Sequence, residues 1–230
     1  MTPADNKVDT KAALLRAAEE LFCEKGYAAI STRELAERAD VNLGAIQYHF
    51  GSKVQLFVEA IRSMLSRQGE HSSLFSFTSN ATSKSEAAIE LCRVIRVFLE
   101  DLCHPQGPDV CRMMHREVLS ATAQNTELFE VLVSSVVEEF FRPVDNHFLR
   151  LVRVLCPGIS EREAVLTLHS LYGQCTYYAT DRPFIEGLRG VDFANEPVLT
   201  EVCNHIASFT LRGMGFKESE VQKALAEVEK

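Results

Sequence analysis

Apolar residues recur at intervals of three and four positions along most of the chain, and nowhere do they alternate with period two. The pattern therefore predicts helices throughout and an all-α fold. The first stripe, Leu14, Ala17, Ala18, Leu21 and Phe22, marks a scaffold helix that Asp9 or Thr10 caps and Gly26 ends. A second helix starts at Thr32, because Ser31 and Glu34 have the spacing of a capping box, and its inner face is Leu35, Ala36 and Ala39. Asp40, Val41 and Asn42 interrupt the pattern with residues that favour turns and caps. Asn42 then caps a third helix, Leu43 to Phe50, which turns only Ile46 and Phe50 inward. Gly51 stops it, and Ser52 with Gln55 opens a fourth helix at Lys53 that continues through Leu56, Phe57, Ala60, Ile61, Met64 and Leu65.

The serine-rich stretch Gly69 to Ser85 has no period and reads as a hinge or loop, after which helical patterning resumes at Glu86. One apolar helix runs to His104, a second covers about Asp109 to Ala123, and a third run extends from Thr126 to Cys156 with Pro143 in its middle. That proline is expected to kink the run or divide it in two. Ser160 and Glu163 cap the next helix, which ends at Thr180. Residues 181 to 195 read as a loop, Pro197 opens a helix to about Arg212, and a charged amphipathic tail follows. The helices carrying Val165, Leu168, Leu171, Tyr172, Cys175 and Tyr178, and Val198, Leu199, Val202, Cys203, Ile206 and Phe209, are apolar on more than one face. Such helices need partners on two sides, and a second copy of the chain, giving a four-helix homodimer interface, is the simplest.

The third helix leaves Leu43, Gly44, Ala45, Gln47, Tyr48 and His49 wholly or partly outside. A short helix presenting such groups, braced by a preceding helix across a three-residue turn, has the geometry that enters a DNA major groove. Leu14, Ala18, Leu21, Phe22, Gly26, Tyr27, Ser31, Leu35, Ala36, Ala39, Val41, Gly44, Ile46, Tyr48, His49, Phe50, Ser52 and Lys53 agree in order and spacing with one family's DNA-binding domain. From about Thr10 to Lys53 the chain resembles the tetracycline-repressor (TetR) family of transcriptional regulators, and the remainder resembles a subgroup whose C-terminal domain is uncharacterised. The resemblance implies that Thr32 and Arg33 contact DNA at a helix start and that Tyr48, His49 and Lys53 contact its backbone. It also implies that Leu43, Gly44, Ala45 and Gln47 face the bases, with Asn42 at the helix entrance. Gln47 stands where the family usually has tyrosine, which bears on operator sequence rather than on DNA binding. The domains expected are a three-helix helix-turn-helix unit over 9–53, a connecting helix over 53–68, and a helical ligand-binding and dimerisation domain over 86–230.

Composition changes this picture little. With 230 residues, 46% of them hydrophobic, the chain has ample material for a packed core. No apolar run is long enough to span a bilayer, and the N-terminus lacks a basic start followed by an apolar block, so no membrane partner and a cytoplasmic location are expected. The seven cysteines lie within apolar helical patterns, which suits reduced, buried thiols better than a disulfide framework. A net charge of −8 argues against nucleic acid if taken globally, and residues 10–53 are merely neutral, with six Lys/Arg against six Asp/Glu. Lys53 is the exception in kind, a lysine on the first turn of a helix where free backbone N–H groups also point, a natural phosphate clamp.

Two further constellations bear on function. Cys111 and His115 are one helical turn apart, with Cys103 and His104 upstream, yet no CxxC pair accompanies them, and packed cysteines are preferred to a metal site. Arg112, His115, Arg116, His147, His169, Tyr172 and Gln174 interrupt apolar helices, and a small-molecule inducer is one way to satisfy them, mutual pairing or exposure to water being the other. An enzyme using His115 and Glu117 as acid and base, or a helical adaptor that binds only protein, are the competing classes. Neither a nucleophile elbow nor a phosphate-binding glycine loop supports the former. The expectation is a ligand-responsive repressor that binds a palindromic operator as a dimer, is released by an inducer, and needs no cofactor.

Overall fold

The computed structural model describes residues 3–71, 81–103, 113–114, 116–117, 126–193 and 195–228; among them every regular element is helical. The elements are α1 (Pro3–Lys25), α2 (Thr32–Arg38), α3 (Gly44–Phe50), α4 (Lys53–His71) and α5 (Lys84–Cys103). They continue as α6 (Thr126–Leu132), a π-helical stretch (Val133–Phe141), α7 (Arg142–Leu155), α8 (Glu161–Thr180), α9 (Arg182–Arg189), α10 (Glu196–Gly213) and α11 (Glu218–Val228). The chain divides into two compact units, residues 1–71 with 109–141, and residues 72–108 with 142–230. Of the later residues, 126–141 group with the N-terminal helices.

In the first unit the stripe read on α1 is buried as expected, with Leu14, Ala18, Leu21 and Phe22 at 0% exposure. It faces α4, where Phe57 meets Phe22 edge-on at 4.8 Å and Tyr27 at 5.2 Å between ring centres. Leu128, Leu132 and Val136 of α6 and the π-helical stretch are buried in the same unit. Ser31 Oγ accepts the Glu34 N–H at 3.1 Å, as a cap should, while the Glu34 carboxylate is held by Lys25 at 2.6 Å. Ser52 Oγ accepts the Gln55 N–H at 3.1 Å and so starts α4.

The end of α1 leaves carbonyls without intrahelical partners. Arg116 donates to this last turn, Nη1 to Cys23 O at 3.2 Å and Nη2 to Phe22 O at 2.6 Å, where the Gly26 N–H also donates at 3.0 Å. The neighbouring Glu117, only 3% exposed, accepts the Tyr27 N–H at 3.0 Å. Gly26 makes this approach possible in two ways. Its φ of +83° is a left-handed conformation, and a Cβ there would lie 2.7 Å from Glu117 Oε1 and 3.1 Å from Arg116 Nε.

In the second unit α5 is the central helix. Ala87, Ala88, Leu91, Cys92, Val94, Ile95, Leu99 and Cys103 are buried around its circumference, and α7, α8, α10 and α11 all pack on it. Ser83 caps it, accepting the Glu86 N–H at 3.2 Å while Glu86 accepts the Ser83 N–H at 3.0 Å, so α5 begins two residues before the expected Glu86. The box read at Ser160 and Glu163 is present and reciprocal. Pro143 falls where the chain passes from one compact unit to the other, at the change from the π-helical stretch to α7. It sits one residue into α7, directly after the π-helical stretch, whose wider turn accommodates the missing N–H and the bulk of the ring.

Residues 181–195, read as a loop because of their proline and glycines, contain helix α9. Pro183 occupies the first turn, where its lost N–H costs nothing, and Arg182 pairs with Glu186 at 2.7 Å. Arg182 also donates through Nη1 to the carbonyl of Cys103, the last residue of α5. Glu186 in turn accepts the Phe193 N–H at 3.0 Å.

Among the described residues, Ser208 and Thr210 of α10 are buried polar groups of this unit, and an ionisable pair is buried as well. His147 and Glu90 are both buried, with His147 Nε2 3.8 Å from Glu90 Oε1 and Arg150 Nη2 3.2 Å from His147 Nδ1. Arg93 Nη1 donates to Glu90 Oε2 at 3.3 Å. Burial holds the His147 pKa below its ordinary value, and Arg150 lowers it further while Glu90 opposes both.

Two outcomes follow from this packing. Gly26→Ala should lower stability by more than the roughly 1–2 kcal/mol that a left-handed residue costs, because the new methyl must also displace Glu117. Gly51→Ala, at φ +77° with nothing within 4 Å, should lose the conformational part alone. Urea midpoints of the two variants measure the difference. The second outcome concerns pH. The unfolded chain protonates His147 near its ordinary value of about 6.5 and the folded chain resists doing so. This residue's contribution is therefore present above about pH 6.5 and is lost as pH falls below it. His147→Gln should show a smaller drop in urea midpoint between pH 7.5 and pH 5.5 than the parent chain.

Candidate nucleic-acid interface

Helix α3 is seven residues long, and its rotation is set by two of them, Ile46 at 3% and Phe50 at 8% exposure. With those inward, Leu43, Gly44, Gln47 and Tyr48 are exposed and Ala45 and His49 partly so. The turn that delivers α3 depends on Asp40, which adopts φ +53°, a conformation that aspartate tolerates better than most side chains. The helix begins at Gly44 with Leu43 in the cap position, one residue later than read from the sequence, and Asn42 Oδ1 accepts the Gly44 N–H at 2.9 Å from just outside it. Its oxygen is thereby committed, and its amide hydrogens remain for other partners.

The other expected contact residues fall on the same unit. Thr32 and Arg33 are exposed at the start of α2, and the Arg33 guanidinium pairs with Glu37 at 2.9 Å across one helical turn. Arg38 lies 3.2 Å from Glu20 and 4.0 Å from Glu24. The cations of this unit are thus largely neutralised in place, which accounts for the neutral count in the sequence. Such exposed pairs contribute under about 1 kcal/mol each, so a phosphate can compete for the arginines.

Lys53 stands at the first position of α4, as expected, but its ammonium is turned onto Tyr27. Nζ donates to Tyr27 O at 2.6 Å and lies 4.0 Å from the centre of the tyrosine ring. Desolvation there lowers its pKa, and the charge of Glu117 counters the shift. Both backbone polar groups of Tyr27 are therefore held by side chains, the N–H by Glu117 and the carbonyl by Lys53. An ammonium has three hydrogens, so two remain after Tyr27 takes one. Nothing in the sequence signalled this arrangement, because the Lys53–Tyr27 bond spans 26 positions, the Tyr27–Glu117 bond spans 90, and neither follows a local period.

The described candidate ligand residues are held in different surroundings within each unit. Arg112 and His115 lie outside the described residues. Arg116 belongs to the first unit and is spent on the carbonyls of α1. In the second unit His169 is exposed, Gln174 Nε2 donates to Ser170 O at 3.3 Å, and His147 is enclosed in the Glu90 and Arg150 network. Tyr172 packs between Phe148 and Phe98, at 5.4 and 6.0 Å between ring centres. An open groove of about 570 Å³ runs beside Cys156, Ile159, Glu163, Leu166, Thr167 and Met214, and none of the seven lines it. Of the metal candidates, Cys103 is buried and the other three lie outside the described residues; among those described, no set of three ligand-type side chains could hold an ion.

Residues 14–60 match the family described as bacterial regulatory proteins, tetR family. Residues 89–214, more than half of the chain, match the C-terminal domain of the HTH-type transcriptional dual regulator CecR. The CecR regulator of Shigella flexneri is 28% identical over 172 residues, 71% of this chain and 73% of that protein. The YttP regulator of Bacillus subtilis is 29% identical over 133 residues, 58% of this chain and only 60% of its own length. The fold is also that of a TetR-like transcriptional regulator from Rhodococcus sp. RHA1, with a TM-score of 0.59 at 18% identity over 90% of this chain and 97% of that one. The two matches together, an N-terminal segment of the tetR type and a C-terminal domain of the CecR type over more than half of the chain, place the chain in the TetR family of transcriptional regulators.

Proposed function

We propose that the chain is a repressor that binds a palindromic operator as a homodimer and is released from it by a small-molecule inducer. In this reading residues 9–53 form the DNA-binding domain, and the region 86–230 contains the dimer interface and the ligand site. The observation that carries it is the rotation of α3, whose buried Ile46 and Phe50 leave Leu43, Gly44, Ala45 and Gln47 for base edges. Thr32, Arg33, Tyr48, His49 and Lys53 then contact the phosphate backbone, and Asn42 holds the helix entrance. Tyr48 is 63% exposed and so within reach of a duplex. For Lys53 the reading requires that one or both of its remaining hydrogens reach phosphate while Tyr27 orients the ammonium.

Dimerisation is assigned to α8 and α10 because large apolar side chains remain exposed on them, Leu166 and Tyr177 on the first and Phe209 on the second. Two copies of this pair give a four-helix interface, and a two-fold protein demands half-sites on one face of the duplex, about 10 bp or a multiple apart. The inducer must bind the released form more tightly than the DNA-bound form. A hundredfold loss of operator affinity needs about 2.7 kcal/mol of differential binding.

Gel shifts with duplex fragments separate the assigned roles. Gln47→Ala should relax or change base preference, since glutamine can pair with adenine through two hydrogen bonds worth about 1–3 kcal/mol of discrimination. Lys53→Ala should weaken binding on every sequence and reduce the log-log salt slope by about one per half-site. The reverse pattern would exchange the two assignments. Phe209→Glu should give a monomeric mass at micromolar concentration and lose operator binding, and a parent chain that is already monomeric there yet binds fully would refute the dimer.

A further inference from the structure

Base recognition by the first turn of α3 is set by what that turn lacks. Leu43, Gly44 and Ala45 carry no hydrogen-bonding side-chain group, and the Asn42 side-chain oxygen just before them is spent on the Gly44 N–H. The N-terminal residues of a reading helix are the ones that meet base edges. Beyond the Asn42 amide hydrogens, what this turn offers a base is apolar surface, chiefly Leu43, which is 52% exposed although leucine is ordinarily buried. The apolar group that a major groove presents is the thymine 5-methyl. Gly44 supports a close approach, because a Cβ there would meet nothing nearer than Asn42 Oδ1 at 3.5 Å, so packing within the protein does not require glycine.

On the operator-binding reading above, we infer that Leu43 is a specificity-determining residue that recognises a thymine methyl in each half-site. Gln47 lies one turn further along the same flank of α3, and side chains four apart on a helix are about 5–6 Å apart. The apolar contact to thymine and the amide contact to adenine thus fall on neighbouring positions of the half-site. Specificity comes from one methyl and one purine edge, while the small residues Gly44 and Ala45 let the backbone sit close to the groove floor.

The test uses the whole chain and begins from random DNA, so the operator sequence emerges from the selection itself. A random duplex pool is selected for binding, and each thymine of the enriched site is then replaced by uracil, which lacks only the methyl. Burying one methyl is worth about fourfold in affinity, so one uracil position per half-site should weaken binding about fourfold, and both together about fifteenfold. Leu43→Ala should bind the thymine and uracil duplexes equally, while Gln47→Ala should keep the discrimination. An enriched site at which every uracil is tolerated would overturn the inference and leave the operator-binding reading standing. Discrimination that survives in Leu43→Ala would assign the methyl to another residue and also overturn it. A pool that yields no enriched site would refute the reading itself, and the inference with it. The uracil scan on the parent chain stands whether or not either variant folds.

Discussion

A seven-residue helix cannot hold itself in water, where isolated helices shorter than about 12–15 residues are marginal. Helix α3 exists because Ile46 and Phe50 are buried against the helices that precede and follow it, and that burial also decides which of its residues face outward. Everything functional on the unit depends on these two contacts. A rotation by one residue would bury Gln47 and expose Ile46, leaving a hydrogen-bonding amide in the core and a methyl-rich side chain at the position of the reader. The Asp40 turn and the Asn42 bond to Gly44 bring the helix to this rotation; the two apolar side chains keep it there.

Around Tyr27 the same unit resolves a different constraint. The end of α1 leaves backbone groups that must be satisfied, and the chain answers with side chains far away in sequence. Arg116 takes the carbonyls of Phe22 and Cys23, Glu117 takes the Tyr27 N–H, and Lys53 takes the Tyr27 carbonyl. The residue expected to grip phosphate is therefore oriented by an internal bond, and its charge is balanced by a buried carboxylate. Arg182 repeats the device in the second unit by donating to the last carbonyl of α5. In both places a guanidinium suits the task because its planar fork presents several donors.

The second unit is built around α5, and its cysteines behave as core residues. Burial pushes the thiol of Cys103 up to about 11 and those of Cys92, Cys175 and Cys203 up to about 12, so none carries the thiolate that redox or metal chemistry needs at neutral pH. Two of the polar residues that interrupt the apolar pattern are enclosed within the packing of this unit. Glu90 supplies His147 with an acidic neighbour, and Phe98 and Phe148 enclose the ring of Tyr172.

The helical period, the caps at Ser31, Ser52 and Ser160, the glycine stops at Gly26 and Gly51, and the inward pair Ile46 and Phe50 were all legible in the chain, because each is a relation between residues a few positions apart. By itself the sequence determined an all-α fold, a short third helix with a defined outer face, and the family. Local spacing misread residues 181–195, since proline and glycine are the same letters at a helix start and end as in a loop. Nor does it show that Arg116 donates to the carbonyls at the end of α1, a contact between residues more than 90 positions apart. Only the tertiary structure decided which polar groups pair across 90 or more residues, how Lys53 is held, and why His147 is buried. Those outcomes depend on which backbone groups are left unsatisfied once the helices pack, and no local period records them.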